Sequence, residues 1–325
     1  TNPTGSGPSP LDRGKRSIAL DLKDAADLET ARALITSADA LIEGFRPGVM
    51  ERLGLGPETF AESNPKLVYG RMTGWGQSGP RAMTAGHDLN YIATSGALWY
   101  AGAPGDAPVT PPTLVGDVGG GALYLVAGLL AGILNAGRTG QGTVLDAAIV
   151  DGSAHMMALL MSMAPSGNTV TERGQSLLDG AHWCRTYACA DGEWLSVQCL
   201  EPKFHAEFLS LMGLKDDPAF AEQYDRAQWP GQCARLAAIF AEKPVAHWTA
   251  LFEGSDACVA PVLSPEAAAQ DPHMQARATW SEAGGTLQPA PAPRFDDAVP
   301  TPAAPPERGA DSDAIRKELD ERGLI

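Results

Sequence analysis

An apolar run from Ala122 to Ala136 constrains this chain more than any other stretch, because so much hydrocarbon in one place has to be withdrawn from water. The run falls short of the roughly 20 apolar residues that a bilayer requires. Gly128, Gly132 and Asn135 also interrupt it, so it reads as a core helix rather than a membrane span. What leads into it is V-G-D-V-G-G-G, Val115 to Gly121, and upstream stand A-G-H-D-L-N-Y (85–91) and G-R-M-T-G-W-G-Q-S-G-P (70–80). This puts one imidazole, His87, and one carboxylate, Asp117, on separate glycine-flanked loops. An imidazole is the side chain that ordinarily titrates nearest neutrality, and burial can tune a carboxylate, so the two types make a workable proton donor and acceptor pair. Glycines 119 to 121 at a helix start would offer N–H donors to an oxyanion. Any single G-x-D can equally be a tight turn with a capping Asp.

Composition narrows the partners. The chain has 325 residues, 44% hydrophobic and 19% charged, which allows a sizeable core in one large or two medium domains of a soluble globular protein. Its net charge of −15 argues against nucleic acid and against a basic membrane-binding face, so an anionic ligand has to be met by local arginines. Five cysteines without a C-x-x-C spacing read as free thiols in a reducing cytoplasm. No His/Cys metal spacing, P-loop, G-x-S-x-G elbow or internal repeat occurs. The start, T-N-P-T-G-S-G-P-S-P, is polar and shows no targeting signal.

Taken in order, a strand is expected over Arg16–Leu22, then a helix over Asp24–Ser37 capped by Asp24, and a strand over Ala40–Glu43. Strand, helix, strand at this length is a parallel crossover. A helical turn carrying Arg52 and a β-rich run at Lys66–Thr73 follow, so Arg46, Arg52, Arg71 and Arg81 gather on loops after strands, where open parallel sheets bind ligands. Beyond Thr143–Ala148, a strand, a helix starting at Asp151 carries Met156, Met157, Leu160, Met161 and Met163, as an irregular core or a pliable acyl pocket would. The polar stretch after Pro165 reads as a linker. An Asp-Gly hairpin over Tyr187–Cys199, helices at 202–213, 228–242 and 245–253, and a strand at 257–263 then build a smaller α+β unit. A Pro/Ala-rich arm, 289–306, ends in a charged helix, 312–324. The division expected is a large α/β domain at 1–164, a linker at 165–184, a small α+β domain at 185–275, and a return linker with C-terminal helix at 276–325.

These motifs resemble the family III CoA-transferase superfamily, and within it the α-methylacyl-CoA racemase branch. The resemblance rests on L-D-L-K (20–23), E-G-F-R-P-G-V (43–49), R-L-G-L-G (52–56), the three glycine-rich stretches already named, D-A-A-I-V-D-G-S (146–153), E-P-K-F (201–204), S-D-A-C-V-A-P-V-L (255–263) and P-A-P-R-F (291–295). It implies an interlaced homodimer with a Rossmann-like parallel sheet, acting on coenzyme A thioesters without a metal or redox cofactor. His87 and Asp117 are the implied proton-transfer pair, supported by Asp88 and by Glu201 from a partner's small domain. Leu20, Leu22, Lys23, Phe45, Arg46 and Arg52 match positions around the adenine and phosphates, and Met72, Gly86 and Tyr91 match positions at the thioester. The family also begins with a βαβ unit and a phosphate-binding basic residue that this sequence does not contain, so a missing upstream segment is expected.

The chemistry of that reading is simple. An α-proton beside a thioester is weakly acidic, so inverting the centre needs a base on one face of an enolate and an acid on the other. The alternative is CoA transfer, with Asp117 as nucleophile forming a mixed anhydride. Both use the aspartate, whereas an imidazole at 87 has a purpose in 1,1-proton transfer and little in anhydride chemistry. A second alternative is an inactive dimeric scaffold.

Overall fold

Asp24 opens the first helix, α1 (Ala25–Thr36), by accepting the N–H groups of Ala26 and Asp27 on its carboxylate. In this computed structural model, which describes residues 9–283, 285–296, 298 and 303–325, α1 leads to β1 (Ala40–Glu43), α2 (Val49–Arg52) and β2 (Val68–Thr73). Next come α3 (Asp88–Ser95) and one continuous helix that is π-wound over Leu114–Ala122 and becomes α4 (Leu123–Thr139). β3 (Thr143–Ala148), α5 (Ile149–Met156) and α6 (Ala158–Ser162) complete this part. The three strands form a parallel sheet in the order β1-β2-β3, with Ala40 opposite Val68 and Val68 opposite Thr143. Successive side chains of β2 point to opposite faces. Tyr69 therefore packs under α1 with Ala31, Ile35, Met50 and Phe60, while Val68 meets Leu125, Leu129 and Ala136 of α4. The sheet is thus covered on both faces, as parallel sheets are.

The strand expected at Arg16–Leu22 does not form. The segment is extended, no strand pairs with it among the described residues, and its Ser17 and Ala19 N–H groups donate to Asp311 and Ser312 at the start of the last helix. The apolar run also differs from expectation. With the π-wound turns it belongs to a helix of 26 residues, long and apolar enough by length and composition to cross a membrane. One side covers the sheet through Leu125, Leu129, Gly132 and Ala136, as a core helix does. The other exposes Leu123, Val126, Leu130 and Leu134, with Leu130 at 63%.

A second core is built from β4 (Arg185–Ala188), β5 (Trp194–Val197), α7 (Pro202–Leu211), α8 (Trp229–Phe240), α9 (Val245–Phe252) and β6 (Val259–Pro261), around Trp183, Phe208, Leu236 and Phe240. The Asp-Gly hairpin is present, and Gly192 holds the positive φ of its turn at 81°. Short helices α10 (Pro265–Ala268) and α11 (Pro272–Ala276) lead to a hairpin, β7 (Trp280–Ala283) and β8 (Thr286–Pro289), within the stretch from 276 that was expected as a return linker. Part of the Pro/Ala-rich arm, 297 and 299–302, lies outside the described residues. Helix α12 (Ser312–Glu321) returns to α1, and Ile315 and Leu319 bury against Ala33.

Candidate active site

A cleft of about 310 Å³ opens at the carboxyl ends of the parallel strands. Gly44, Phe45, Arg46 and Pro47 after β1, Met72 to Trp75 at the end of β2, and Ile149 after β3 line it, together with Gly86, His87 and Tyr91. Five of the residues expected on sequence grounds therefore share one cavity beside His87: Phe45, Arg46, Met72, Gly86 and Tyr91. His87 is the N-cap residue of α3 and is exposed, its backbone N–H donating to Asn90 Oδ1 at 3.1 Å. Tyr91, one turn on, donates its hydroxyl to the Gly86 carbonyl and sets its ring edge-on to Trp75 at 4.9 Å. A Cβ on Gly86 would come within 2.7 Å of the Tyr91 ring, so the loop carrying His87 is seated directly on that tyrosine.

Asp117 is not a wall of the cleft. It sits in the π-wound turns rather than on a loop, which corrects the sequence expectation. Asp88, buried at the start of α3, explains the geometry: its Oδ1 accepts the N–H groups of Gly116 at 2.8 Å and Asp117 at 2.9 Å. One carboxylate oxygen thereby satisfies the first free donors of the helix and couples the His87 and Asp117 backbones. Gly119 to Gly121 lie inside the continuous helix, so their N–H groups bond along it and are not offered to an oxyanion. Their smallness serves close approach instead. Gly121 abuts Met72 and Ile149 of the cleft wall, and Gly120 meets the backbone of Ser153 on α5.

Electrostatics link the pair. Burial pushes the Asp117 carboxyl above its usual range, the Asp88 charge adds to the rise, and His87 opposes it. The Tyr91 hydroxyl is also raised, by burial first and by Asp117 second. Of the four arginines that sequence grouped, Arg71 is spent within the protein on Glu51 at 2.6 Å and Gln77 at 3.0 Å, and Arg81 lies over the Trp75 ring and bonds Thr94. Arg46 faces the cleft, and Arg52 stands on α2 with its guanidinium near Gly48.

The remaining candidates lie elsewhere. Leu20 and Leu22 are half-buried against the α1 side of the sheet, and Lys23 is exposed at the turn before α1. Glu201 is the N-cap residue of α7 in the second core, where the Cys258 thiol is raised by burial first and by the Glu201 charge second. Sequence reasoning missed the anchoring role of Asp88 and the Gly120–Gly152 approach. The signal for the second was the pairing of two small-residue stretches, G-G-G at 119–121 and D-G-S at 151–153.

Comparison with known proteins agrees with this architecture. The mouse protein named alpha-methylacyl-CoA racemase is 41% identical over 312 residues, covering 95% of this chain and 82% of the relative. The human protein of the same name is 40% identical over 299 residues, covering 91% and 77%. The crystal structure of a CAIB/BAIF family protein from Brucella suis superposes with a TM-score of 0.79 at 26% identity, over 95% of this chain and 82% of that one. The description of CoA-transferase family III matches residues 5–312, and the chain belongs to that family.

Proposed function

We propose that the protein is an α-methylacyl-CoA racemase, epimerising the α-carbon of 2-methylacyl-CoA thioesters through an enolate. The observation that carries the reading is the exposed His87 in a cleft at the strand ends, backbone-coupled through Asp88 to a carboxyl, Asp117, that burial shifts toward a protonated state. A raised carboxyl pKa is what a proton donor near neutrality needs. In this mechanism His87 removes the α-proton from one face, the electrons move onto the thioester oxygen, and Asp117 delivers a proton to the opposite face. In the reverse sense Asp117 is the base and His87 the acid, so either enantiomer yields the epimer mixture. Arg46, Arg52, Lys23, Leu20, Leu22 and Phe45 hold the coenzyme A end, while Met72, Gly86 and Tyr91 flank the thioester. The coenzyme is part of the substrate, and the chemistry asks for no metal or redox group.

The same reading assigns Glu201 to the His87 side of a second copy's site, in an interlaced homodimer. The exposed apolar side of α4 supports such an association, since a monomer rarely leaves this much hydrocarbon in water. Five free cysteines, three of them buried, support a reducing, cytoplasmic setting.

The decisive experiment incubates one enantiomer of a 2-methylacyl-CoA with the enzyme in deuterated water. α-Deuterium incorporation together with loss of optical purity is expected. Absence of both, with CoA exchange onto an added free acid, would establish transfer through Asp117 instead. His87→Ala and Asp117→Ala should each lower the exchange rate by at least about 100-fold, and a loss under about tenfold in either would remove that residue from the proton-transfer pair.

A further inference from the structure

His87 and Asp117 are carried by different parts of the fold. The His87 side is built on the chain leaving β2. Gly74 and Trp75 line the cleft there; Gly74 leaves no room for a Cβ against the Tyr91 ring, and the Trp75 indole nitrogen lies 3.1 Å from where a Gly86 Cβ would stand. Tyr91 in turn donates its hydroxyl to the Gly86 carbonyl, so a shift of Gly74 and Trp75 is passed by contact to the residue before His87. The Asp117 side is built on β3. That strand runs directly into α5, which meets the π-wound turns backbone to backbone at Gly152 and Gly120.

The two sides are joined where the strands end. Arg71 lies opposite Asp146 and Thr73 opposite Ala148, and there the β2–β3 ladder stops. Beyond it the Val150 N–H donates to the Gly74 carbonyl at 3.1 Å. The chain after β2 then turns through Gly76, at a φ of 85°, with its N–H on Thr73 Oγ1 at 3.0 Å. The turn is closed from the other strand: Gln77 N–H donates to Asp146 Oδ2 at 2.9 Å, while Arg71 holds the Gln77 side-chain oxygen at 3.0 Å. Asp146 is exposed and is not part of the cleft wall. It opens the motif D-A-A-I-V-D-G-S (146–153), and Gly152 stands near the other end. One short stretch of chain therefore grips the His87 side at its start and touches the Asp117 side at its end.

We propose that Asp146 is a positioning residue that sets the separation of His87 and Asp117, acting through the Gln77 N–H on the turn that carries Trp75. The inference rests on the reading of these two groups as the proton-transfer pair.

The test uses the full chain in deuterated water, with the enantiomer of a 2-methylacyl-CoA that presents its α-proton to His87, and follows α-deuterium uptake and inversion together. When His87 takes the α-proton, the C–H electron pair moves onto the thioester oxygen. Return of a solvent-exchanged deuteron from His87 gives uptake with retention, whereas delivery from Asp117 gives uptake with inversion. The ratio of inversion to uptake thus reports where one group stands relative to the other. Because it is a ratio per reacted molecule, loss of folded protein does not move it. Asp146→Ala should lower the ratio about fivefold to tenfold, a part of the about 100-fold that misplacement by about 1 Å can cost. Asp146→Asn keeps an oxygen for the Gln77 N–H and should stay within about twofold of wild type. An unchanged ratio in Asp146→Ala, whatever the total rate or the melting temperature, would overturn the proposal by making the contact merely structural. Equal falls in the Ala and Asn variants would also overturn it, since charge rather than the hydrogen bond would then be the cause. Absence of both uptake and inversion in the wild type removes the reading of the reaction and this proposal with it. A wild type that does both, matched in ratio by Asp146→Ala, leaves the reaction standing and removes the positioning role alone.

Discussion

Gly152→Ala is the sharpest test of how the fold places Asp117. Gly152 on α5 faces Gly120 of the π-wound helix backbone to backbone. A Cβ at 152 would stand 2.7 Å from the Gly120 carbonyl carbon, closer still to its oxygen, and 2.9 Å from Tyr124 Cδ2. Moving the carbon alone from 2.7 Å to ordinary contact at 3.4 Å takes 0.7 Å, and the nearer oxygen demands more. Both obstacles are backbone, so no rotamer change relieves them. The two helices must separate by on the order of 1 Å, at a cost of about 1–3 kcal/mol for overpacking. Asp117 lies in the same π-wound turns as Gly120, with its N–H held by Asp88, so separation drags it off its position relative to His87. Misplacement by about 1 Å can lower a rate about 100-fold. The assay is α-deuterium exchange at saturating thioester, run beside a thermal melt. The expected outcome is a fall in rate of about 30- to 100-fold in protein that remains folded at the assay temperature. Gly137→Ala is the control: nothing lies within 4 Å of its Cβ, and as a helical glycine it should be neutral or stabilising by about 1 kcal/mol. A Gly152→Ala enzyme within about threefold of wild type would show that this approach does not set Asp117, and the argument would be wrong.

Two further outcomes follow from single residues. Asp88→Asn keeps an oxygen for the N–H groups of Gly116 and Asp117 but removes a charge that raises Asp117, so the acid limb of the pH–rate profile should move to lower pH with the rate largely kept; Asp88→Ala orphans both donors at about 1–3 kcal/mol each and should cost far more. Identical behaviour of the two variants would contradict the anchoring role. In the second core, His182 and His205 face each other Nε2 to Nε2 at 2.8 Å among Trp183, Phe220 and Gln232, and burial pushes them down to about 3 and about 4. The folded state therefore binds fewer protons than the unfolded one, whose imidazoles titrate near 6.5, so stability is full above that value and drains as pH falls toward 4. Urea melts at pH 6 and pH 5 should differ by about 2 kcal/mol from this pair, and His205→Phe should roughly halve the difference. The same slope in both proteins would exclude the pair as its source.

How much of this was legible in the sequence depended on range. Elements fixed by their own residues were readable: Asp24 capping α1, the Asp-Gly turn at 191–192, and Ala40–Glu43 as a strand. Arg16–Leu22 has the composition of a strand, yet a strand requires a neighbour, and whether one lies alongside is decided by the return of α12 some 290 residues later, a contact with no local trace. The π-wound turns were illegible for a similar reason. V-G-D-V-G-G-G reads as a loop because glycine is a poor helix former, but Asp88 supplies the donors' partner from another element and overrides propensity. The β7–β8 hairpin was hidden by the proline and alanine around it.

The candidate site divides in the same way, and the division bears on its chemistry. Residue types alone pointed to His87 and Asp117 as acid and base, because imidazole and carboxyl are the side chains whose titration can be brought to the working range. Type says nothing about spacing between faces. That spacing is set by contacts of three different sequence ranges: Asp88 to Asp117 within one helix-to-helix step, Gly120 against Gly152 across the sheet crossover, and Tyr91 under Gly86 within a single loop. Two of the three are made by backbone or by the absence of a side chain. A proton-transfer pair that must reach opposite faces of one planar enolate tolerates little slack, and backbone contacts are the stiffest that a chain can offer. Substitutions at glycines 120 and 152 should therefore injure turnover more than changes of similar size on the methionine-bearing side of α5, where a flexible thioether can give way.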